Sequence, residues 1–375
     1  MTRKLVHIEK VKSIEPIAGA DNIELAKVLS WQVVVKRGEV TPGSIVALFE
    51  IDSFLPIEDR YEFLRASSYR NNEVGEGFRL HTVKLRKTLS QGLALPLSFF
   101  PELEQTEMTE GQDLTDILHV KLYEEPEPVN MHGMIAGKVS SMFPVTEQER
   151  IQNIYDVAKD MFRDVSFEVT EKINGTSDSN YLRDDKFGVA GHHMRYKEGS
   201  DNLYWQVARD IDMEGALRSV GRNIAVQGEA AGSKIQKNPL RIKGHRWFMF
   251  DVYDFDEHRY LTPAERLEVY DLLHDYSPLI EHVPVIEPVA YPFLSSESVD
   301  DILKKADGKS LICPDAAREG IVYKANEIVG GIIPSFKVLS NALLLKEEKA
   351  EPLIKEDIMA LDGSEPDGKK DHLDI

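Results

Sequence analysis

Glu171-Lys172-Ile173-Asn174-Gly175-Thr176 stands at the end of a β-prone run, Ser166 to Thr170. A lysine followed closely by glycine is common and by itself marks a strand-to-turn exit. Four more segments follow in the same half of the chain. They are Gln227-Gly228-Glu229-Ala230-Ala231-Gly232 with Ile235-Gln236-Lys237 behind it, Trp247-Phe248-Met249-Phe250-Asp251-Val252-Tyr253, Arg318-Glu319-Gly320-Ile321-Val322-Tyr323-Lys324, and Ser335-Phe336-Lys337-Val338-Leu339-Ser340-Asn341. Each is weak alone, since an aromatic strand is usually core and Glu-Gly is a frequent turn. Their succession in this order is the signal.

Around them, residues 141–346 mix element types. Gln148 to Phe162 reads as a helix with Ile151, Ile154, Tyr155, Ala158 and Phe162 on one face. Ala264 to His274 and Ser298 to Lys305 read as helices, and Ser166 to Thr170, Asn223 to Gly228, Trp247 to Tyr253 and Gly320 to Lys324 as strands. The class is α+β, not a regular βαβ alternation. Residues 1–100 read as short strands between turns such as Ala18-Gly19-Ala20-Asp21-Asn22 and Thr41-Pro42-Gly43. That spacing suits a small barrel, and by pattern alone a β-sandwich nearly as well. Residues 101–140 read as a linker, broken by prolines at Glu124-Glu125-Pro126-Glu127-Pro128. Residues 347–375 read as an acidic tail.

The 375 residues suit two domains, possibly three, and 42% hydrophobic residues is enough for folded cores. Charge is 45 − 64 = −19, which excludes a general basic coat for nucleic acid but leaves room for a segregated basic groove. The single cysteine, Cys313, excludes an intramolecular disulfide and a cysteine-based zinc site. No apolar run approaches the ~20 residues of a membrane helix, and the amino terminus lacks a secretory apolar stretch. A cytoplasmic protein without membrane partners is the expectation.

Taken together, the five segments resemble the nucleotidyltransferase motifs of covalent polynucleotide ligases and capping enzymes. Motif I is normally Lys-x-Asp-Gly and here is Lys172-Ile173-Asn174-Gly175. The Glu-Lys-Ile-x-Gly-Thr form and the Gly-Glu…Ile-Gln-Lys segment look like the RNA ligase branch that seals nicks in duplexes. Phe143-Pro144-Val145-Thr146-Glu147-Gln148-Glu149-Arg150-Ile151-Gln152-Asn153 looks like the segment that precedes motif I in one lineage, which carries an amino-terminal OB domain. The resemblance implies an N-terminal OB-like β-barrel over 1–100 that binds nucleic acid. It implies a nucleotidyltransferase (ATP-grasp-like ligase) domain of antiparallel sheets and helices over 141–346.

The implied activity is that of an ATP-dependent RNA ligase joining a 3′-OH end to a 5′-phosphate end, in RNA repair. A 5′-phosphate is a poor electrophile, and the family activates it by covalent catalysis through a lysyl-adenylate and an adenylylated RNA end. Carried over by motif, Lys172 is the nucleophile, and Lys324 and Lys337 are catalytic contacts to AMP phosphate or pyrophosphate. Glu171, Ile173, Asn174, Glu229, Phe250 and Glu319 would hold the nucleotide, Glu229 at the ribose and Phe250 stacked on adenine. Arg150, Gln152 and Asn153 would touch nucleotide or phosphate. Glu319 would also bind Mg2+ or Mn2+. The substrate would be RNA ends in a nicked duplex, RNA–RNA or RNA–DNA, and the enzyme a monomer. A free lysine has a pKa of ~10.4, so roughly one in two thousand is neutral at pH 7. The pocket is therefore expected to lower it, with Lys324, Lys337 and the metal disfavouring the ammonium.

Several positions depart from the family pattern. Asn174 replaces the usual aspartate, which keeps an acceptor and loses charge; the change reads as tuning, not inactivation. His192-His193 stand where arginine and asparagine are frequent, Leu339 where a second motif-V lysine occurs (Lys346 could serve instead), and Val145 before Thr146 where a basic residue is common. The strand Phe248/Phe250 alternation leaves the stacking assignment open by two residues. In the first domain, Lys36-Arg37, Arg79, Lys84, Arg86 and Lys87 are candidates for duplex contact or, equally, charges that protect an edge strand. The alternatives are a DNA ligase, a capping-type nucleotidyltransferase and a catalytically weakened protein that binds nucleic-acid ends.

Overall fold

A computed structural model describes residues 3–72, 75–103, 108–123, 133–199, 201–294 and 298–348. They fall into two units, the first built on the residues before 127 and the second on those from 127 to 343. In the first unit, the long strand Val6–Pro16 pairs with Ile45–Phe49 on one side and Ile23–Val28 on the other. Leu93–Pro96 and Trp31–Lys36 extend the sheet to five strands. A β-bulge between Val11 and Ser13 bends the long strand, and such a bulge increases twist and turns a strand from one sheet into the next. One apolar cluster gathers Val6, Ile8, Phe49, Tyr61, Phe78 and Phe100. A second gathers Val11, Val28, Trp31, Val33, Val46 and Leu48. The small-barrel reading holds.

Part of the span read as a linker, 101–140, packs in the first unit. Leu103, Leu114, Leu118 and Val120 are buried in the first unit's core. The amide of Leu114 donates to the Val6 carbonyl at 2.8 Å, and that of Ile8 to Gln112 at 3.0 Å. Ile135–Lys138 pairs instead with Met194–Tyr196 in the second unit. Acidic and proline punctuation masked these leucines, whose burial needs only a few contacts per turn. The proline-rich stretch 124–128 and the tail from 349 onward lie outside the described residues; the helix Asn341–Glu348 covers the tail's start.

The second unit contains two sheets. The larger runs in the order Ile135–Lys138, Met194–Tyr196, Lys186–Ala190, Thr176–Arg183, Ile224–Gly232, His245–Asp254, Arg259–Tyr260, with Ile280–His282 parallel to His245–Asp254. The smaller runs Glu149–Arg150, Ser335–Leu339, Gly320–Ala325, Phe167–Lys172, Val285–Ala290. Leu203–Asp210, Met213–Val220 and Pro263–Tyr276 supply apolar residues to the larger sheet's core, and Ile151–Met161 and Val299–Ala306 to that of the smaller. Pro263–Tyr276 starts where its sequence dictates: Thr262 and Glu265 form a reciprocal capping box, and Pro263 fills a position that needs no amide. Ser298 and Asp301 do the same for Val299–Ala306.

The first unit buries a charged network. His7, 5% exposed, has Nδ1 2.7 Å from Glu9 Oε1 and Nε2 3.3 Å from Glu50 Oε1. Arg3 donates to Glu50 Oε2 through Nε at 3.0 Å and Nη2 at 2.8 Å. Burial pushes the imidazolium down, but hydrogen bonds and charge from Glu50 and Glu9 outweigh it and raise the pKa to about 9. The folded value lies above the unfolded one, near 6.5. This stabilisation is therefore complete below about pH 6.5 and is lost as pH rises through about 9. Thermal unfolding followed from pH 6 to 10 is expected to show a loss of up to about 3 kcal/mol in the first unit. His7→Gln should flatten that pH dependence; an equally steep decline in the variant would rule the network out as its source.

Candidate active site

Directly opposed residues in a sheet share a face, and alternate residues return to it. The register pairs Lys172 with Gly320, Thr170 with Val322 and Glu168 with Lys324. Across the next ladder, Gly320 meets Leu339, Val322 meets Lys337 and Lys324 meets Ser335. Arg150 then pairs with Lys337. Lys172, Lys324, Lys337, Arg150 and Glu168 therefore all stand on one face of the smaller sheet. Phe167, Val169, Ile321, Tyr323, Phe336 and Val338 take the opposite face and form its core. The cations advance by two residues per row, about 7 Å at the rise of a strand.

Lys172 Nζ donates to Glu319 Oε1 at 2.6 Å. Burial pushes the Lys172 ammonium down, but the charges of Glu319 and Glu229 and the Glu319 hydrogen bond outweigh burial and Arg150, and its pKa lies above the ordinary value. Two carboxylates face Lys172 where the sequence reading counted only cations. Glu229 is itself pushed up to about 8, by burial first and by Glu319, against the pull of Lys172 and the Gly175 amide. Glycine at 175 is a packing requirement, since a Cβ there would lie 2.3 Å from the Ala230 carbonyl oxygen and 2.9 Å from Glu229 Cγ. Gly320 is equally confined, 2.3 Å from the Val338 oxygen.

Lys324 is the lysine whose pKa falls. Burial lowers it and Arg266 adds to this, while an ion pair with Asp251 Oδ2 opposes them. Lys324 is 6% exposed and stands four residues along the strand from Gly320, roughly 13 Å from the Lys172 row. Its ammonium is paired with Asp251. Thr146 Oγ1 donates to the same Asp251 oxygen at 2.7 Å, and the Thr146 amide donates to Gln227 Oε1 at 3.0 Å. Gln227 Nε2 and the Tyr260 hydroxyl both donate to the Pro144 carbonyl, at 3.0 and 2.6 Å. A cavity of about 370 Å³ opens here, lined by Thr146, Asp251, Tyr253, Tyr260, Lys324 and Ser335 among others. None of Lys172, Glu229, Phe250 and Glu319 lines it. Asp251, Gln227, Thr146 and Tyr260 were not singled out in the sequence; the first three lie inside quoted motifs, while Tyr260 carries no local signal.

The structure separates the two phenylalanines. Gln227 pairs with Asp251 and Gly228 with Met249, so Phe250 is the extra residue of a bulge. It is half-buried, whereas Phe248 is fully buried beneath the Arg246 guanidinium, 4.8 Å from the ring centre. Phe250 packs against an apolar cluster containing Ile173, Ala231, Phe248 and Val283. Glu171 points elsewhere: its position pairs with Ile321 on the core face, and its carboxylate accepts the Leu311 amide at 2.7 Å. Gln152 is buried at the start of Ile151–Met161, and Asn153 donates to Glu149 at 3.1 Å. Asn174 is half-buried. His192 lies 3.7 Å from Glu147 and packs edge-on against His193.

Among the described residues, no three of His, Cys, Asp and Glu gather as a metal cage. A hard cation that keeps waters and binds through one or two carboxylates plus phosphates needs no such cage. Glu319, with one oxygen on Lys172, fits that role.

Comparison with known proteins agrees with this geometry. Residues 5–97 match the family described as an OB-fold domain, and residues 165–339 match the family described as RNA ligase. No curated protein matches the chain by sequence. Solved structures of an RNA ligase from Naegleria gruberi superpose over nearly the whole chain. A variant with AMP and Mn gives a TM-score of 0.83 at 38% identity, covering 92% of this chain and 99% of that one. A variant with ATP and Mn gives 0.82 at 37%, with the same coverage of 92% and 99%. The ligase with PPi gives 0.83 at 37%, covering 93% and 100%. With such relatives matched along their full length, this chain belongs to the RNA ligase family.

Proposed function

We propose that this RNA ligase uses ATP to join a 3′-OH RNA end to a 5′-phosphate end, through a lysyl-adenylate on Lys172 and an adenylylated RNA end, in RNA repair. The observation that carries this reading is the Lys172–Glu319 contact on a sheet face shared with Arg150 and Lys337. The Naegleria relatives, solved with ATP, AMP or PPi, support the choice of nucleotide. The likeness of the Gly-Glu…Ile-Gln-Lys segment to the nick-sealing branch favours nicked duplexes with an RNA or DNA complement. We place the enzyme in the cytoplasm as a monomer.

In the first step Lys172 Nζ attacks the α-phosphorus, forming a nitrogen–phosphorus bond as the bond to pyrophosphate breaks. The ammonium must first shed its proton, and Glu319 Oε1, 2.6 Å away, is the acceptor in place. Lys337 and Arg150 stand about one row, ~7 Å, along the sheet, where their charge offsets the negative charge that grows on the leaving pyrophosphate. Glu229, beside the nucleophile, holds the ribose, and Phe250 and Ile173 offer the adenine an apolar wall. Glu319 would hold Mg2+ or Mn2+, which supplies positive charge opposite the phosphate oxygens. Lys324 acts through Asp251, fixing the segment at Thr146 against both sheets. Asn174 tunes the site.

Intact-mass spectrometry after incubation with ATP and Mg2+ or Mn2+ tests the mechanism. The protein, stripped of any bound adenylate with pyrophosphate, should gain one AMP, and Lys172→Ala should gain none. No gain with either metal would overturn the ATP reading, and labelling by GTP instead would point to a capping-type enzyme.

Phe248→Ala should destabilise the second unit by about 3–5 kcal/mol, read as a lower Tm. Phe250→Ala should leave Tm nearly unchanged while raising the ATP concentration needed for half-maximal labelling several-fold. Equal effects on Tm would remove the assignment of Phe250 to the nucleotide.

A further inference from the structure

Glu319 directly precedes the strand Gly320–Ala325. The ladder between that strand and Phe167–Lys172 ends at the pair Lys172–Gly320. The carboxylate that meets Lys172 Nζ at 2.6 Å therefore stands one residue outside the ladder, where strand pairing does not reach. Its chain neighbours must hold it. The Arg318 amide donates to the Gly308 carbonyl at 3.0 Å, and the Ser340 amide donates to the Glu319 carbonyl at 2.8 Å.

Both bonds lead to the end of the helix Val299–Ala306, which is anchored in the smaller sheet's core through Ile302, Leu303 and Ala306. The last carbonyls of a helix lack amide partners and carry the negative end of its dipole. Arg318 meets carbonyls at this end. Its Nε donates to the Ala306 carbonyl at 3.2 Å, and its Nη2 to those of Lys305 and Asp307 at 3.1 and 3.3 Å. A planar fork of donors can spread over three acceptors in this way, whereas an ammonium is a compact point charge. Gly308 makes the room, since a Cβ there would lie 2.5 Å from Arg318 Nη2. Asp307 completes the junction: its Oδ1 accepts the Ser340 hydroxyl at 2.7 Å and the Ala342 amide at 3.2 Å. Ser340 is 1% exposed and directly follows Ser335–Leu339, the strand that carries Lys337. The loop 308–318 is itself closed, with Lys309 bridged to Ala317 and the Ser310 amide donating to the Ala316 carbonyl at 3.0 Å. Glu171 holds the Leu311 amide of the same loop. The residue before Lys172 and the residue before Glu319 thus grip one loop.

We propose that Arg318 is a positioning residue of the ligase: by holding the end of the helix Val299–Ala306, it keeps Glu319 against Lys172. The proposal rests on the reading of Lys172 as the residue that takes AMP from ATP. The test follows labelling of the full chain by radiolabelled ATP with Mg2+ over a range of ATP concentrations, alongside Tm. Arg318→Ala should lower the maximal rate roughly ten- to a hundredfold, the scale on which small misplacements of a reacting group are felt. Its half-saturating ATP concentration should stay within about twofold of the parent's, because the acceptors of Arg318 are backbone carbonyls remote from the nucleotide. Arg318→Lys, which keeps a cation at the helix end, should recover most of the rate. Gly308→Ala, which crowds the guanidinium while leaving it in the chain, should lose rate as Arg318→Ala does. In crystal structures of Arg318→Ala and Gly308→Ala, the Glu319 carboxylate should stand beyond hydrogen-bond reach of Lys172 Nζ. Should Arg318→Ala fail to fold, Gly308→Ala carries both measurements. An unchanged maximal rate, a rise in half-saturating ATP alone, or a Lys172–Glu319 contact retained in the variant crystals would overturn the proposal. A parent that ATP does not label would overturn the ATP reading alone, because the crystal comparison needs no nucleotide.

Discussion

A β-strand turns successive side chains to opposite sides, so the pairing of Phe167–Lys172 with Gly320–Ala325 governs what the second unit can present. A slip of one residue would send Lys172 and Lys324 into the space filled by Phe167, Tyr323 and Phe336. Those rings resist it. They are 0–1% exposed, and Tyr323 and Phe336 lie stacked with centres 4.6 Å apart. The alignment of the charged face is thus set by aromatic packing on the other side of the same sheet. Polar groups alone would specify it poorly, because an exposed ion pair contributes only about 0–1 kcal/mol.

Gathering cations on one face in a partly dry site requires anions to meet them. Glu319 meets Lys172, Asp251 meets Lys324, and Glu168 meets Arg266 behind them. The last two pairs are buried, and removing one partner from such a pair typically costs about 3–5 kcal/mol. Asp251 belongs to the larger sheet and Lys324 to the smaller, so their pair also ties the two sheets together at the site. Charge that serves the reaction and charge that serves the fold share the same few residues.

Residues and their order were more legible than their surroundings. Lys172, Glu229, Glu319 and Lys337 stand out in the sequence because the motif resemblance falls on them. Whether Phe248 or Phe250 is accessible depends on a bulge opposite Gln227 and Gly228, which strand alternation does not reveal. The direction of the Lys172 pKa depends on carboxylates 57 and 147 positions away in sequence, whose distances exist only in the fold. Leu103, Leu114 and Leu118 lie in acid-rich sequence, and only the open edge of Val6–Pro16 and the apolar cluster beneath it show that they are core.

The separation between Lys172 and Glu319 also has a consequence for synthesis of the chain. The first unit has all its described strands once residue 122 has been made, and as a domain it can fold while the rest is still being translated. The strand that carries Lys172 is made early too, but its sheet neighbour Gly320–Ala325 and the strand beyond that, Ser335–Leu339, come near the end. Until then its aromatic side lacks Tyr323 and Phe336, and long-range pairing of this kind is slow. A nascent or truncated chain that stops before residue 319 holds the first unit's strands and Lys172, but lacks Glu319 and Lys337.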